Sequence, residues 1–218
     1  MIRAYPETYL NDAMNNLGNM FDYAVHDCHY ELADFFSLFL VSGVADAFEK
    51  GAPKYIAGFS GPELADEVFF KVKGSRPNAD ISLNIEKSPE YWAGWILAYY
   101  QWYTGRGFSQ LNELGITTDH LLNQYPTLHE ADISKFVTLA DELIEKNAKR
   151  RTTNLQTIRK AAGLTQKALA EQSGITLRMI QLYEQRNKDI NKAQAITLAK
   201  IARVLGCDVD ALLETENN

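Results

Sequence analysis

At 218 residues, 46% hydrophobic and 11% aromatic, the chain holds enough apolar material for one large or two modest packed domains, which excludes a wholly disordered protein. Its longest apolar stretches, such as Asp34 to Val44, contain or border charges and fall short of the roughly 20 residues that span a bilayer. No apolar run with a small-residue cleavage site follows Met1, and Cys28 and Cys207 lie too far apart in sequence to suggest a disulfide framework, so a cytoplasmic location without membrane contact is expected.

The net charge of −6 is unevenly distributed. From Lys149 onward there are 12 Lys and Arg against 7 Asp and Glu, a net of +5, and all 12 cations fall before Cys207. The first 148 residues carry 10 against 21, a net of −11. A basic module following an acidic one is the charge pattern of a nucleic-acid-binding part joined to a part with another task. The polar run Lys149 to Asn154 marks the boundary, giving an acidic domain over 1–148 and a basic one over 149–218.

Nearly everything reads as helix. Leu10, Met14, Leu17, Phe21 and Ala24 recur at helical spacing, as do Leu32, Phe35, Phe36, Phe39, Leu40, Gly43, Val44 and Ala47 in the next segment. Ser60 and Glu63 have capping-box spacing and open a third helix. Ser88-Pro89-Glu90 starts a fourth, which Gly105-Arg106-Gly107 stops. Thr127 with Glu130 predicts a second capping box, launching a helix with Ile133, Phe136, Val137, Ala140 and Ile144 on one face. Between Ala79 and Lys87, Ile81, Leu83 and Ile85 alternate with polar residues, the pattern of a short strand or an extended loop.

After Asn154 the pattern becomes specific. Leu155, Ile158 and Ala162 stripe a short helix ended by Gly163. Thr165 is placed to cap a second, with Leu169 and Ala170 inward. Ser173-Gly174-Ile175-Thr176 forms a turn in which Gly174 takes positive φ, Ile175 plugs the core and Thr176 caps a third helix carrying Ile180 and Tyr183 inward. Ile196, Ala199, Ile201, Ala202 and Leu205 predict the inner face of a fourth helix, and Leu212-Leu213 close the bundle.

Leu164-Thr165-Gln166, Leu169-Ala170, Gly174-Ile175, Ile180, Tyr183-Glu184, Leu198 to Ala202 and Leu205-Gly206 resemble the Cro and phage-repressor (Xre-like) helix-turn-helix family over about 60 residues. The resemblance implies an all-α chain: an N-terminal helical bundle followed by a five-helix, lambda-repressor-like domain that dimerises on palindromic duplex DNA. It implies a bacterial sequence-specific regulator, with Thr176, Leu177, Arg178 and Gln181 nearest the bases and Gln166, Arg186, Asn187 and Lys188 gripping phosphates. One departure stands out: the family usually has Gly soon after the Tyr-Glu pair, whereas Gln185-Arg186-Asn187-Lys188 follows here, with Asn187 expected to supply the left-handed conformation.

No P-loop, dinucleotide fingerprint or nucleophile elbow is present, and no enzymatic activity or cofactor is expected. Asp22, His26, Cys28 and His29 are read as a polar helical face rather than a metal site, since Cys28 and His29 project in different directions on a helix. All three tryptophans fall within eleven residues, and Trp92, Trp95, Tyr99 and Trp102 make one helical stripe. That stripe is either the centre of the N-terminal core or a surface for a partner. Three roles compete for the acidic domain: binding a protein such as a toxin, in an antitoxin that represses its own operon; binding a small molecule that shifts DNA affinity; or oligomerisation.

Overall fold

A computed structural model describes residues 3–77, 79, 87–150 and 152–214. Its described residues form helices, 3-10 and π turns and loops, with no strand among them, in keeping with the all-α expectation. The alternating segment lies, apart from residues 79 and 87, outside the described residues. Among the described residues no helix is long and apolar enough to cross a membrane. The chain divides into two compact units, 1–144 and 145–218.

The first unit contains α1 (Leu10–His26), α2 (Leu32–Val41), α3 (Val44–Glu49), α4 (Gly61–Lys73), α5 (Pro89–Thr104), α6 (Phe108–Glu113), α7 (Thr118–Leu128) and α8 (Ile133–Arg150), whose last turns run into the second unit. Its centre is the pairing of α1 with α5, made close by two glycines. A Cβ on Gly94 would lie 2.5 Å from the Leu17 carbonyl oxygen, and one on Gly18 would lie 2.9 Å from Tyr91. Around this axis the fully buried rings of Phe21, Phe35, Phe39, Phe48, Phe69, Tyr100, Phe108 and Phe136 pack, several edge to face: Phe21 against Phe35 at 6.3 Å, Tyr100 against Phe136 at 5.7 Å.

Local signals explain where these helices begin. The Ser60–Glu63 capping box forms at α4, with Glu63 accepting from the Ser60 N–H at 2.8 Å. Ser88 caps α5 by accepting from Tyr91 N, and Gly105 closes it at φ 68°. Two expectations are corrected. The segment from Leu32 to Ala47 is two helices, because Ser42 bonds back to the Phe39 carbonyl and accepts from Val44 N while Gly43 turns left-handed at φ 74°. Thr127 lies in the last turn of α7 and launches nothing; Asp132 instead accepts from Ser134 N at 2.9 Å where α8 begins. Those bonds from Ser134 hold the Asp132 carboxyl below its ordinary range.

The second unit is built from α9 (Asn154–Ala161), α10 (Gln166–Ser173), α11 (Leu177–Glu184), α12 (Ala195–Leu205) and α13 (Val209–Leu212), with a 3-10 turn at Ile190–Lys192. Its core is Leu155, Leu169, Ile180, Tyr183, Ile190, Ile201, Leu205 and Leu212. Three threonines cap three consecutive helices: Thr153 accepts from Gln156 N, Thr165 from Ala168 N and Thr176 from Met179 N. Ile196 is corrected from core to surface at 62% exposed, and Leu198 takes the inward position, since the stripe of α12 runs 198, 201, 202 and 205.

Candidate nucleic-acid interface

α10, the turn after it and α11 make one positioned unit. Leu169, Ala170 and Ser173 face inward from α10, and the Ser173 hydroxyl donates to the Leu169 carbonyl at 2.6 Å. Gly174 then reverses the chain at φ 65°, a conformation that strains any residue bearing a Cβ. With Ile180 and Tyr183 of α11 locked inward, the opposite face is left to solvent. Leu177 and Arg178 are exposed and Gln181 is half-buried, and helical spacing puts these three on the side of α11 away from Ile180 and Tyr183, while Thr176, also exposed, caps the start of the helix. Arg178 has no carboxylate partner among the described residues.

A buried ionic pin joins three helices behind that face. Arg159 of α9 donates from Nε to Glu184 Oε1 at 2.5 Å and from a terminal nitrogen to Oε2 at 2.9 Å, and it also donates to the Leu164 carbonyl at 2.6 Å. Gln166 Nε2 donates to Glu184 Oε2 at 2.8 Å. The side chains of Arg159 and Glu184 are 9% and 1% exposed. Hydrogen bonding to Glu184, chiefly, holds the Arg159 guanidinium more firmly protonated than usual. Such a fork fixes the roll of α11 against α9 and α10. Gln166 therefore spends one amide N–H inward and keeps the other beside the N-terminus of α10.

The pin was not assigned from sequence, though a signal was present. Arg159 sits at the fourth position after Leu155, on the inward stripe, and Glu184 sits at the fourth after Ile180. Two opposite charges on two buried faces of one small domain call for each other.

The loop after α11 departs from expectation. Arg186, not Asn187, takes the left-handed conformation, at φ 56°. Arg186, expected among the phosphate contacts, is half-buried and its guanidinium pairs with Glu214 Oε2 at 2.9 Å. A non-glycine residue here costs about 1–2 kcal/mol of backbone strain, which the ion pair helps offset. Asn187 and Lys188 are exposed; Asn187 Nδ2 donates to Gln185 Oε1 at 3.2 Å, and the Lys188 backbone N–H returns to the Leu182 carbonyl at 3.1 Å.

In the first unit the aromatic stripe is split by burial. Trp92 and Trp102 are core residues, 7% and 4% exposed, and Trp102 Nε1 donates to the Tyr5 carbonyl at 2.8 Å. For these two rings the core alternative of the stripe is the one observed. Trp95 and Tyr99 are partly exposed, as is Tyr103, which stacks on Tyr99 at 5.9 Å and 11°, and the Arg3 guanidinium lies 4.1 Å from the Trp102 ring and 4.7 Å from that of Tyr103. His26 Nε2 lies 3.0 Å from Glu90 and 3.8 Å from Asp22, and the Ser88 hydroxyl donates to Asp22, tying the end of α1 to the start of α5.

Residues 155–212, spanning α9 to α13, match the family model described as helix-turn-helix. No curated protein and no solved structure matches the chain.

Proposed function

We propose that this chain, a DNA-binding transcription regulator by virtue of its helix-turn-helix domain, is a sequence-specific repressor of its own promoter that binds a palindromic operator as a homodimer. The observation that carries the reading is the exposed cluster Thr176, Leu177 and Arg178 at the start of α11, with Gln181 one turn on, presented where such a helix meets base edges in the major groove. Arg178 bridges guanine O6 and N7, Gln181 pairs with adenine and Leu177 meets a thymine methyl. Each good bidentate contact of this kind is worth about 1–3 kcal/mol of discrimination. The remaining amide N–H of Gln166, with Asn187 and Lys188, contacts phosphates and sets the register.

The N-terminal domain is assigned to control rather than to DNA, because its net charge of −11 repels a phosphate backbone. The partly exposed Trp95, Tyr99 and Tyr103 beside Arg3 favour a partner surface. A protein partner, as in an antitoxin neutralising a toxin, is the first reading of that surface, and a small-molecule effector is the second. A DNA-reading role places the chain in the cytoplasm.

Titration of the full chain against the duplex upstream of its own gene, beside a scrambled duplex and an Arg178→Ala variant, tests the operator reading. Tight binding to the native duplex, with the preference cut by about 5- to 150-fold in the variant, is the expected result. Equal binding to both duplexes by the unmodified chain ends self-repression as its role.

A further inference from the structure

Beyond α13 the chain is fastened to the DNA-reading domain at Glu214. One carboxylate oxygen accepts from the backbone N–H of Asn154, the first residue of α9, at 2.8 Å. The other accepts from Arg186 at 2.9 Å. Asn191 clasps the backbone of the same residue from both sides, accepting from its N–H at 2.8 Å and donating to its carbonyl at 2.6 Å. Asn154 Nδ2 adds a bond to the Leu213 carbonyl at 2.6 Å. Residues 213 and 214 thus join the start of α9, the loop after α11 and the 3-10 turn. The Glu214 carboxylate also faces the positive end of α9.

Arg186 is the residue in that loop held at φ 56°, and its Nε is buried without a hydrogen-bond partner. Among the described residues Glu214 is the carboxylate that neutralises it. Asn187 and Lys188 follow at once and are exposed. Where the resembling family commonly supplies a glycine, this chain has a strained arginine and a carboxylate from 28 residues downstream to hold it.

We propose that Glu214 is a positioning residue for the DNA contact: by holding Arg186 in its left-handed turn it presents Asn187 and Lys188 to the phosphate backbone. The proposal rests on the DNA-binding reading above. It also makes a prediction opposite in sign to simple charge. Removing a carboxylate from a DNA-binding domain should tighten binding if only long-range repulsion counts; removing a positioning residue should loosen it.

The test compares the full chain with Glu214→Gln, which keeps an acceptor for Asn154 N–H but loses the ion pair, on native and scrambled duplexes over a range of salt. Weakening by the same factor on both duplexes, about tenfold, with a salt slope shallower by about 1, is expected for the loss of one phosphate contact. A second pair of variants guards against a merely structural effect. Glycine adopts the left-handed conformation without strain, so in an Arg186→Gly background Glu214→Gln should no longer weaken binding. Unchanged or tighter binding by Glu214→Gln overturns the proposal, and so does an equal weakening in the Arg186→Gly background. An unmodified chain that binds both duplexes alike ends the self-operator reading, while the factor between it and Glu214→Gln still decides the role of Glu214. An unmodified chain that binds neither ends both.

Discussion

Arg159 and Glu184, 25 positions apart, meet as a buried two-pronged ion pair, with the closest approach 2.5 Å. The pair closes the inner side of α11 while Leu177 and Arg178 on its other side stay exposed. Removing one partner of such a pair leaves an uncompensated buried charge, a loss of about 3–5 kcal/mol. Glu184→Ala should therefore unfold the C-terminal domain at far lower denaturant. All three tryptophans lie between 92 and 102, so far-UV circular dichroism should register this transition while tryptophan fluorescence stays unmoved. A change below about 1 kcal/mol, the usual worth of an exposed pair, would deny the pin its role. The double variant Arg159→Met/Glu184→Leu should recover much of the loss, because apolar replacement of both charges removes the desolvation penalty.

Lys188 and Arg178 should separate two kinds of contact. Lys188→Ala is expected to weaken native and scrambled duplexes alike and to reduce the salt slope by about 1, the behaviour of a phosphate contact. Arg178→Ala should chiefly erase the difference between the duplexes. If Lys188→Ala changed sequence preference instead, the loop would be reading bases.

Gly94 sits where α5 crosses α1 at backbone distance from Leu17 and Gly18. Gly94→Ala places a methyl group 2.5 Å from a carbonyl oxygen, and backbone cannot move aside as a flexible side chain would. A loss of about 1–3 kcal/mol or more is expected for the N-terminal domain, read by tryptophan fluorescence during denaturant unfolding. Gly74→Ala tests the other role of glycine, since nothing lies within 4 Å and the penalty is the positive φ of 74° only, about 1 kcal/mol. Equal losses at the two sites would refute the close crossing.

Cys28 is pushed up to about 11 by burial, with Asp66 and Asp27 adding and a hydrogen bond from Tyr23 opposing. A raised pKa means the reactive thiolate is scarce at neutral pH and appears only as pH climbs toward that value. Alkylation at pH 7–8 should be roughly a hundredfold slower than in the denatured chain, rising about tenfold per pH unit below pH 10. Rapid labelling of Cys28 at neutral pH in the folded protein would contradict its half-buried setting. Cys207, also raised by burial, should behave in the same direction.

Much of the helix-turn-helix was legible because its determinants are local. A threonine cap, a stop glycine and an apolar residue every three or four positions act within one or two turns, so Thr165, Gly174, Thr176, Ile180 and Tyr183 announced their places without knowledge of their partners. The same holds for Ser60 with Glu63 and for Ser88 at the start of α5. Local signals also compete, and where two occur close together spacing does not say which wins: Asp132 starts α8 although Thr127 and Glu130 have the spacing of a capping box.

What tertiary structure decided is every relation between residues far apart in the chain. Whether Trp92 and Trp102 are anchors or core depends on what packs over them, and a stripe of aromatics reads alike in both cases. Arg186 is an ordinary surface cation in sequence; in the fold it is the left-handed residue of its loop and pairs with Glu214 from 28 residues downstream. Helix-forming preferences act over a few residues, whereas burial and charge pairing depend on which surfaces the folded chain brings together, and only the fold specifies that.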